Sequence, residues 1–590
     1  MKKALISSII FHPKTYLESH LNDIYCQPIE NEKSIELCIS WLLTSQQKSG
    51  DGGFSRGFYL NRFKGWDRGY IETTGYIVET LLNLPPNIFT DDVKNSVENA
   101  IDFLLTVQSS TGYFPCIDNG LPQAFDTGQV LYGLLAYRRY LSSDGDTARK
   151  IQIDDAIHLA CNWLVHAQDE ATGAWIASGY RGIPHTYYSR VASILMACSI
   201  QYENSDWETS ARKFMKWAMD QKTEEGVIKH LQFDSNEKYS FLHAMAYVIE
   251  GFIHFNELTN ENRYREFALG YYELILRKTK RLVIPVSKYN DQLDPLDKQY
   301  CMTGLAQLAA VGLKLYDRTH ENFNKIVAIM YFLKAHQIKQ GELKGGMWGS
   351  LPLWGSYAAF RVPNWGVKFL LDALLEYNTH NITSTEEQNT WIAQSFSAQK
   401  HYIAQKISDT SEMYFAHLKG QILDAKSICD YGAGHGLLVK RLRNLNYQAQ
   451  GYDPQVSNAF VKQIKTNDFA TLGSGYDVIL LIETLQHIID PRHVLEKLTE
   501  KMSPNGKIII YDRLSTNITQ FYKLSLQLRD LSMYGPFSPF KENWYNKSSL
   551  EKILPRSCYI ADFTLLHKKQ FKSKIVEPRY EAVIKRRLQN

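Results

Sequence analysis

Residues 427–454 read SICDYGAGHGLLVKRLRNLNYQAQGYDP and decide the fold of the C-terminal part of the chain. An apolar stretch reaches Asp430, a turn with Gly432, Gly434 and Gly436 follows, and an amphipathic stretch leads to a second apolar segment before Asp453. Glycine allows the backbone to turn sharply and lets a ligand approach closely. The pattern therefore predicts a strand, a ligand-binding turn, a helix and a second strand.

Two acids flank this turn, one at the end of each predicted strand. Asp453 is placed to accept hydrogen bonds from ribose hydroxyls, which would suit nicotinamide cofactors as well. Asp430 favours a different ligand, because a carboxylate on the first strand can pair with the ammonium of an amino acid. NAD carries no such cation. The two acids together predict a site for S-adenosylmethionine (SAM).

Short apolar segments continue to alternate with amphipathic ones towards the C-terminus. YDVILLIE and GKIIIYDR predict two more parallel strands, and CYIADFTLL and YEAVIKRR predict a closing antiparallel pair. With Glu483 ending the fourth strand and the Asp490–Pro491 step after it, the region resembles class I SAM-dependent methyltransferases. The resemblance covers residues 389–590 and implies a Rossmann-like α/β domain.

The resemblance also implies the residues of a cofactor site. They are Asp430, Gly432, Gly434 and Gly436 for the methionine part, Asp453 for the ribose, Asn467 or Asp468 beside the adenine, and Glu483. His487 follows near the strand tips and is the candidate general base for O-methylation, with bracing of its loop by hydrogen bonding as the alternative role. No metal is required by this chemistry.

A repeat runs through the first part of the chain. A helical segment ending in glutamine is followed by a glycine and, two positions on, an aromatic residue. The clear copies contain Gln47, Gln108, Gln168 and Gln340, with a degenerate one at Gln221. A period of about 60 residues holds two helices, and stacked helical hairpins of this kind bury their apolar faces on one another. The repeat predicts six hairpins closed into an all-α (α/α)6 toroid.

The repeat resembles those of triterpene cyclases and prenyltransferase β-subunits and, more loosely, the six-hairpin toroids of polysaccharide lyases and glycosidases. The acidic DxDD and DDxxD strings that terpene chemistry requires do not occur. Several polar and aromatic residues are candidates for the toroid cavity, although each would also suit a satisfied buried network. They are Asp126, His185, Tyr187, Arg190, His243, Tyr357, Asn364 and Trp365.

Composition limits the partners and the compartment. Lys and Arg number 66 against 62 Asp and Glu, so nucleic acid is not indicated as a partner. No apolar stretch approaches the ~20 residues that span a bilayer. The scattered cysteines show no CxxC spacing, which indicates free thiols and a cytoplasmic protein. We expect an N-terminal segment over 1–32, the toroid over 33–380, a helical linker over 381–424 and the methyltransferase domain over 425–590.

Three hypotheses about function follow. In the first, the methyltransferase O-methylates a sugar or glycoconjugate, and the toroid binds or processes the same glycan. In the second, the toroid acts on an isoprenoid and SAM methylates the lipid or its product. In the third, the toroid is a non-catalytic scaffold. The acceptor and the oligomeric state are not encoded in these patterns.

Overall fold

The computed structural model describes residues 2–16, 18, 28–141, 147–279, 284–387, 390–391, 414–415, 417–434, 436–453, 465–466, 469–485, 488, 490–513, 545–566 and 579–587. Contacts divide the chain into two compact units, Met1–Ile382 and Thr383–Asn590. Most of the expected linker 381–424 lies outside the described residues. No helix in the described ranges is both long and apolar enough to cross a membrane.

The N-terminal unit is built from helical hairpins. Its described helices are α1 (Lys2–Phe11), α2 (Asn31–Ser49), α3 (Ile71–Leu82), α4 (Asp91–Val107), α5 (Ala124–Tyr140), α6 (Thr147–Ala167), α7 (Ser189–Tyr202), α8 (Ser205–Asp220), α9 (Leu242–Thr259), α10 (Asn262–Lys278), α11 (Met302–Leu315), α12 (Phe323–His336) and α13 (Asn364–Asn378). From α3 onwards, each odd-numbered helix packs on the next odd-numbered helix, and α13 packs on α3. The ring is therefore closed.

The even-numbered helices form an outer layer around this ring. The outer helices from α4 to α12 each pack on the odd-numbered helix that precedes them, whereas α2 packs on α13. The inner helix α5 is buried nearly all round, whereas the outer helix α8 buries one stripe that includes Trp207, Ala211 and Phe214. An all-round apolar helix belongs inside a fold and a striped one at its surface. The predicted (α/α)6 toroid is confirmed.

The repeated glutamines join neighbouring outer helices. The Gln108 amide donates to the carbonyl of Gly112 in its own loop (3.1 Å) and to that of Ala156 on the next outer helix (2.9 Å). Gln168 makes the same pair of bonds with Gly173 and Ser210. The fixed period thus follows from a repeated bond between the end of one outer helix and the middle of the next.

The structure shifts two of the predicted glutamines. Gln46, not Gln47, bonds the next outer helix, and Gln337 takes the place expected for Gln340. Gln337 donates to Gly345 (3.2 Å) and to the carbonyl of Ser34 (3.3 Å) on α2, so this bond closes the ring. Helix phase explains the first shift, because the adjacent helical residues Gln46 and Gln47 point to different faces. The aromatic residues of the repeat are buried as expected; they are Phe54, Phe114, Trp175 and Trp348.

Replacing Gln337 with alanine should lower the stability of the toroid. Gln337 is fully buried, and its loss removes the side-chain donor to the carbonyls of Gly345 in its own loop and Ser34 on α2. We expect a cost of about 1–3 kcal/mol, measured as a lower midpoint of thermal unfolding. Gln340→Ala is the matched control, since Gln340 is exposed. Equal effects of the two substitutions would contradict the assignment of the closing bond.

The loops that precede the inner helices meet at one end of the ring, here called the loop mouth. Short antiparallel ribbons link these loops in pairs. They are β1 (Gly57–Tyr59) with β6 (Arg361–Pro363), β2 (Ser240–Phe241) with β3 (Lys288–Tyr289), and β4 (Tyr300–Cys301) with β5 (Ser350–Leu351). The ribbons hold side chains from neighbouring hairpins over the start of the inner helices.

The C-terminal unit contains one twisted sheet. Its strands are β7 (Ser427–Tyr431), β8 (Gln448–Tyr452), β9 (Lys465–Thr466), β10 (Tyr476–Ile482), β11 (Met502–Arg513), β12 (Cys558–Leu566) and β13 (Arg579–Arg586), in the order β12-β13-β11-β10-β7-β8-β9. The strands from β11 to β9 pair in parallel, and β13 runs antiparallel to β11 and β12. The predicted parallel sheet with a closing antiparallel pair is confirmed.

Helices cover this sheet, and its strand order indicates the edge at which a ligand would bind. The described ones are α14 (Leu437–Asn444), α15 (Pro491–Lys501) and α16 (Lys547–Ile553). Asp490 caps α15, since its carboxylate accepts the N–H of His493 (3.1 Å). Strand order reverses between β7 and β10, and ligands bind outside the carboxyl ends of strands at such a point.

Candidate functional sites

The glycine turn lies at the carboxyl end of β7, where strand order reverses. Gly432, Gly434 and Gly436 all have positive φ, a backbone conformation that residues with a side chain rarely adopt. The turn is anchored to the neighbouring strand, because the N–H groups of Gly432 and Ala433 both donate to the carbonyl of Tyr452 (2.7 and 3.0 Å). The backbone of the turn is therefore held in one place beside β8.

The two acids predicted from the sequence meet at this turn. Asp430 lies on β7, one residue before the strand ends, and is 4% exposed. Asp453 follows β8 directly and accepts the N–H of Gly434 (2.8 Å). Burial and the nearby charge of Asp453 raise the pKa of the Asp430 carboxyl to about 7. The site thus concentrates negative charge that a bound cation would neutralise.

The tip of β10 closes the other side of the turn. Glu483 follows β10 with φ +49°, and its N–H donates to the carbonyl of Tyr511 (2.8 Å). A β-carbon built on Gly432 would come within 2.2 Å of Thr484 Oγ1, so only glycine fits between the turn and this tip. At Gly434 no described atom lies within 4 Å of such a carbon, and the turn is open there.

Some predicted residues cannot be placed beside this geometry. Asn467, Asp468 and His487 lie outside the described residues, so the adenine contact and the general base stay predictions. Aromatic rings do line the β8 side of the site. Tyr431 and Tyr452 stack with centroids 5.0 Å apart, and Phe469 meets Tyr452 edge-on at 5.5 Å.

The loop mouth of the toroid holds a second set of polar residues. Asp126 is 7% exposed, and its Oδ2 has no hydrogen-bond partner among the described residues. Glu72, which the sequence analysis missed, accepts the hydroxyl of Tyr70 (2.6 Å). Burial and the charge of Glu72 hold the pKa of the Asp126 carboxyl well above its usual range. The two acids occupy the first turns of the neighbouring inner helices α3 and α5.

Glu72 and Asp126 have different surroundings. Burial raises the pKa of the Glu72 carboxyl too, but the Tyr70 hydroxyl and the charges of Arg56 and Arg190 lower it. Asp126 has no such donor among the described side chains. The charge of Arg56 lowers the pKa of Asp126 as well, but the net shift of that pKa is strongly upward, so Glu72 ionises before Asp126. Glu72 is half-buried.

Aromatic and cationic side chains surround these acids. Tyr187 packs edge-on against Phe125 (5.4 Å) and in parallel with Tyr247 (6.3 Å). The guanidinium of Arg190 pairs with Glu250 (3.1 Å) and lies 5.3 Å from the centre of the Tyr247 ring. The rings of Tyr187 and Tyr247 and the guanidinium of Arg190 are all buried by these contacts.

The remaining toroid candidates have structural partners. His185 bonds the carbonyl of Tyr180 (2.9 Å), and His243 bonds Gln307 (2.6 Å); burial lowers the pKa of each imidazole to about 4. Tyr357 accepts the indole N–H of Trp365 (2.8 Å). Both histidines are thus neutral at physiological pH.

Asn364 does not join the loop-mouth set. It is fully buried between α13 and α2, where it accepts the indole N–H of Trp41 (2.9 Å) and donates to Ser45 (2.6 Å). Its contacts join the last inner helix to the first outer one. Asn364 therefore supports ring closure.

Residues 399–557 match the family described as "Methyltransferase domain". A ubiquinone biosynthesis O-methyltransferase of Azorhizobium caulinodans is 27% identical over 131 residues, which cover 20% of this chain and 51% of that protein. The C-terminal unit contains a methyltransferase domain. The chain spans about half the length of this curated relative, so the likeness concerns the domain and not the whole protein.

Solved structures resemble the other part of the chain. An unsaturated glucuronyl hydrolase from Bacillus sp. GL1 has a TM-score of 0.45 and 13% identity, over 59% of this chain and 97% of that one. A D-mannose isomerase has a TM-score of 0.47 and 13% identity, over 59% of this chain and 97% of that one. The toroid fold of the N-terminal unit is defined by the contacts between its own helices.

Proposed function

We propose that the methyltransferase unit binds SAM and transfers its methyl group to a hydroxyl of a sugar or glycoconjugate. The observation that carries the proposal is the pair of carboxylates, Asp430 and Asp453, on either side of the open glycine turn. SAM offers both groups that such a pair can hold, an ammonium and a ribose diol. The raised pKa of Asp430 fits a cationic ligand, because an ammonium would offset the repulsion between the two acids.

The protein's own residues have a limited task in this chemistry. SAM, when bound, supplies a sulfonium methyl group that is already activated. Asp430 and Asp453 would orient the donor. The close approach of Gly432 to Thr484 holds the turn between these two acids in place. Removal of the hydroxyl proton is assigned to His487, as the sequence indicates. Alignment of the methyl donor with the acceptor hydroxyl and exclusion of water account for the rest of the catalysis.

The test of the proposal has two parts. Titration calorimetry of the full chain with SAM should show one site. Incubation with methyl-labelled SAM and a panel of oligosaccharides should then place label in a carbohydrate product. Absence of SAM binding would overturn the donor assignment, and label found only in lipid would favour the isoprenoid hypothesis instead.

SAM affinity should depend on pH through Asp430. Because the pKa of its carboxyl is about 7 without a ligand, an ammonium ligand must displace a proton at lower pH. We expect affinity to fall by about tenfold per pH unit below about pH 7. Calorimetry in two buffers of different ionisation enthalpy should show proton release at about pH 6 and little at about pH 8. A constant affinity across this range would contradict the role of Asp430.

The loop mouth of the toroid supports a second function, acid–base chemistry on a bound glycan. Two carboxyl groups whose surroundings separate their pKa values can act as an acid and a base. Asp126, which ionises after Glu72, would protonate a leaving oxygen, and Glu72 would take a proton from water.

The same observations favour a glycan over the two other hypotheses. A pocket for an isoprenoid would be lined by apolar groups, but the cavity that contains the Arg190–Glu250 ion pair is also lined by Glu79 and Lys368. A scaffold has no reason to keep buried polar atoms unsatisfied. Asp126 Oδ2 and Gln129 Nε2 are both buried, and neither has a hydrogen-bond partner in the described part of the chain. A polar ligand or water at the mouth would supply those partners.

A further inference from the structure

The helix α1 turns its apolar residues outward. Ile6, Ile9 and Ile10 are 56%, 46% and 66% exposed, whereas Ser8 is fully buried. The Ser8 hydroxyl is satisfied within the helix by the carbonyl of Ala4 (2.8 Å). A helix on the surface of a soluble domain normally shows the opposite arrangement. The outward face of α1 is therefore suited to an apolar environment.

A neighbouring loop extends this apolar face. Phe63 is 81% exposed, and its ring meets the ring of Phe11 edge-on with centroids 6.0 Å apart. His12 ties the two segments together, because its Nε2 bonds the carbonyl of Arg62 (2.8 Å). We call Ile6, Ile9, Ile10, Phe11 and Phe63 the apolar patch. Its side chains lie together on one side of the N-terminal unit.

Basic side chains flank the two segments of the apolar patch in the chain. Lys3 and Lys64 are exposed, and neither forms an ion pair with a described residue. Lys14 and Arg62 are also exposed but lie near Glu18 and Asp67 (3.8 and 2.8 Å). Exposed apolar residues flanked by lysine and arginine match the surface of an anionic bilayer.

We propose that the apolar patch docks the protein on an anionic membrane surface. The isoleucines and phenylalanines enter the boundary between headgroups and acyl chains, and the lysines contact lipid phosphates. The loop that carries Phe63 continues to Tyr70 and Glu72, so docking places the loop mouth close to the bilayer. A glycan carried on a lipid would then be within reach of the mouth. The docking itself does not rest on the proposed function.

The test is co-sedimentation of the full chain with vesicles of phosphatidylcholine containing about one-third phosphatidylglycerol. The wild type should bind, and binding should weaken as salt is raised. The triple variant I6S/I10S/F63S should lose about tenfold or more in partitioning. The matched control L121S/I151S/I200S changes residues that are 56%, 56% and 52% exposed elsewhere on the unit, and should bind as the wild type does.

Three outcomes would overturn the proposal. Wild-type protein that stays in solution shows that the patch does not meet lipid, whether or not another part of the chain covers it. Equal binding to pure phosphatidylcholine removes the role of the basic side chains. A dimer that dissociates in I6S/I10S/F63S, without vesicle binding, assigns the patch to a second copy of the chain. SAM titration of the triple variant should match the wild type, which separates docking from the methyltransferase site.

Discussion

Replacement of Asp430 by asparagine is expected to have opposite effects on ligand binding and on stability. SAM affinity should fall by about 100-fold, or ~3 kcal/mol, because the substitution removes a buried charge-assisted hydrogen bond to an ammonium. Without ligand, the unfolding midpoint at about pH 8 should rise by several degrees, since the variant no longer holds a buried carboxylate next to Asp453. Calorimetry and thermal unfolding of the full chain measure the two effects.

The sign of the stability effect follows from linkage. The pKa of Asp430 is higher in the folded protein than in the unfolded chain, so the folded state binds more protons between about pH 4 and about pH 7. The wild type without ligand therefore loses stability as pH rises through this window, and Asp430→Asn removes that loss. A variant that is destabilised at about pH 8 would contradict the raised pKa.

Asp477 provides the matched control on the same sheet. Its carboxylate accepts the N–H groups of Lys426 and Ser427 (2.8 and 3.0 Å) at the start of β7, far along the strand from the glycine turn. Burial is the largest single effect and acts to raise the pKa of Asp477, but the hydrogen bonds to its carboxylate together outweigh burial and lower this pKa. Asp477→Asn should therefore lower the unfolding midpoint and leave SAM affinity unchanged.

Replacement of Asp126 by asparagine or of Glu72 by glutamine should abolish turnover of a glycan by the toroid. A positioned acid or base contributes about 10²–10⁴-fold to rate, so each substitution should cost that much. Because the pKa of Asp126 is raised, Asp126→Asn should also remove one infrared carbonyl band of a protonated carboxylic acid from the pH titration of the wild type. Hydrolysis of oligosaccharides and difference infrared spectra provide the readouts.

The partner substitution and a control make this prediction specific. Glu72→Gln removes the charge that acts on Asp126, so the band should disappear at a lower pH than in the wild type. Asp155→Asn, an exposed acid on α6, should change neither the band nor turnover. A band that survives Asp126→Asn would assign the buried proton to another group and remove the acid from the proposed pair.

Local patterns account for what the sequence predicted correctly. The glycine turn, Asp430 and Asp453 lie within one strand–turn–helix–strand segment, so their proximity follows from chain geometry alone. The six hairpins follow from a period that is visible without any long-range information. The final strand pair is recognisable because its residues are apolar and β-branched. Each feature depends on neighbours in the chain.

Contacts between distant segments account for what the sequence missed. The sequence indicated Asp126 but not Glu72, because the two acids sit in the first turns of helices from different hairpins and no local motif links GYIETTGY with AFDTGQ. Burial raises both pKa values, and burial depends on the whole ring. The choice between Gln46 and Gln47 depends on helix phase, which differs by about 100° between adjacent residues. Asn364 looked like a cavity residue but closes the ring.

The most direct measurement of the central claim is an experimental structure of the full chain with S-adenosylhomocysteine, the product that keeps both groups of the donor that the site should hold. We expect the amino group to lie within hydrogen-bonding distance of Asp430 and the ribose hydroxyls to donate to the carboxylate of Asp453, with the ligand passing over Gly434. A ligand bound away from this turn, or bound with neither acid in contact, would contradict the assignment of the methyl-donor site.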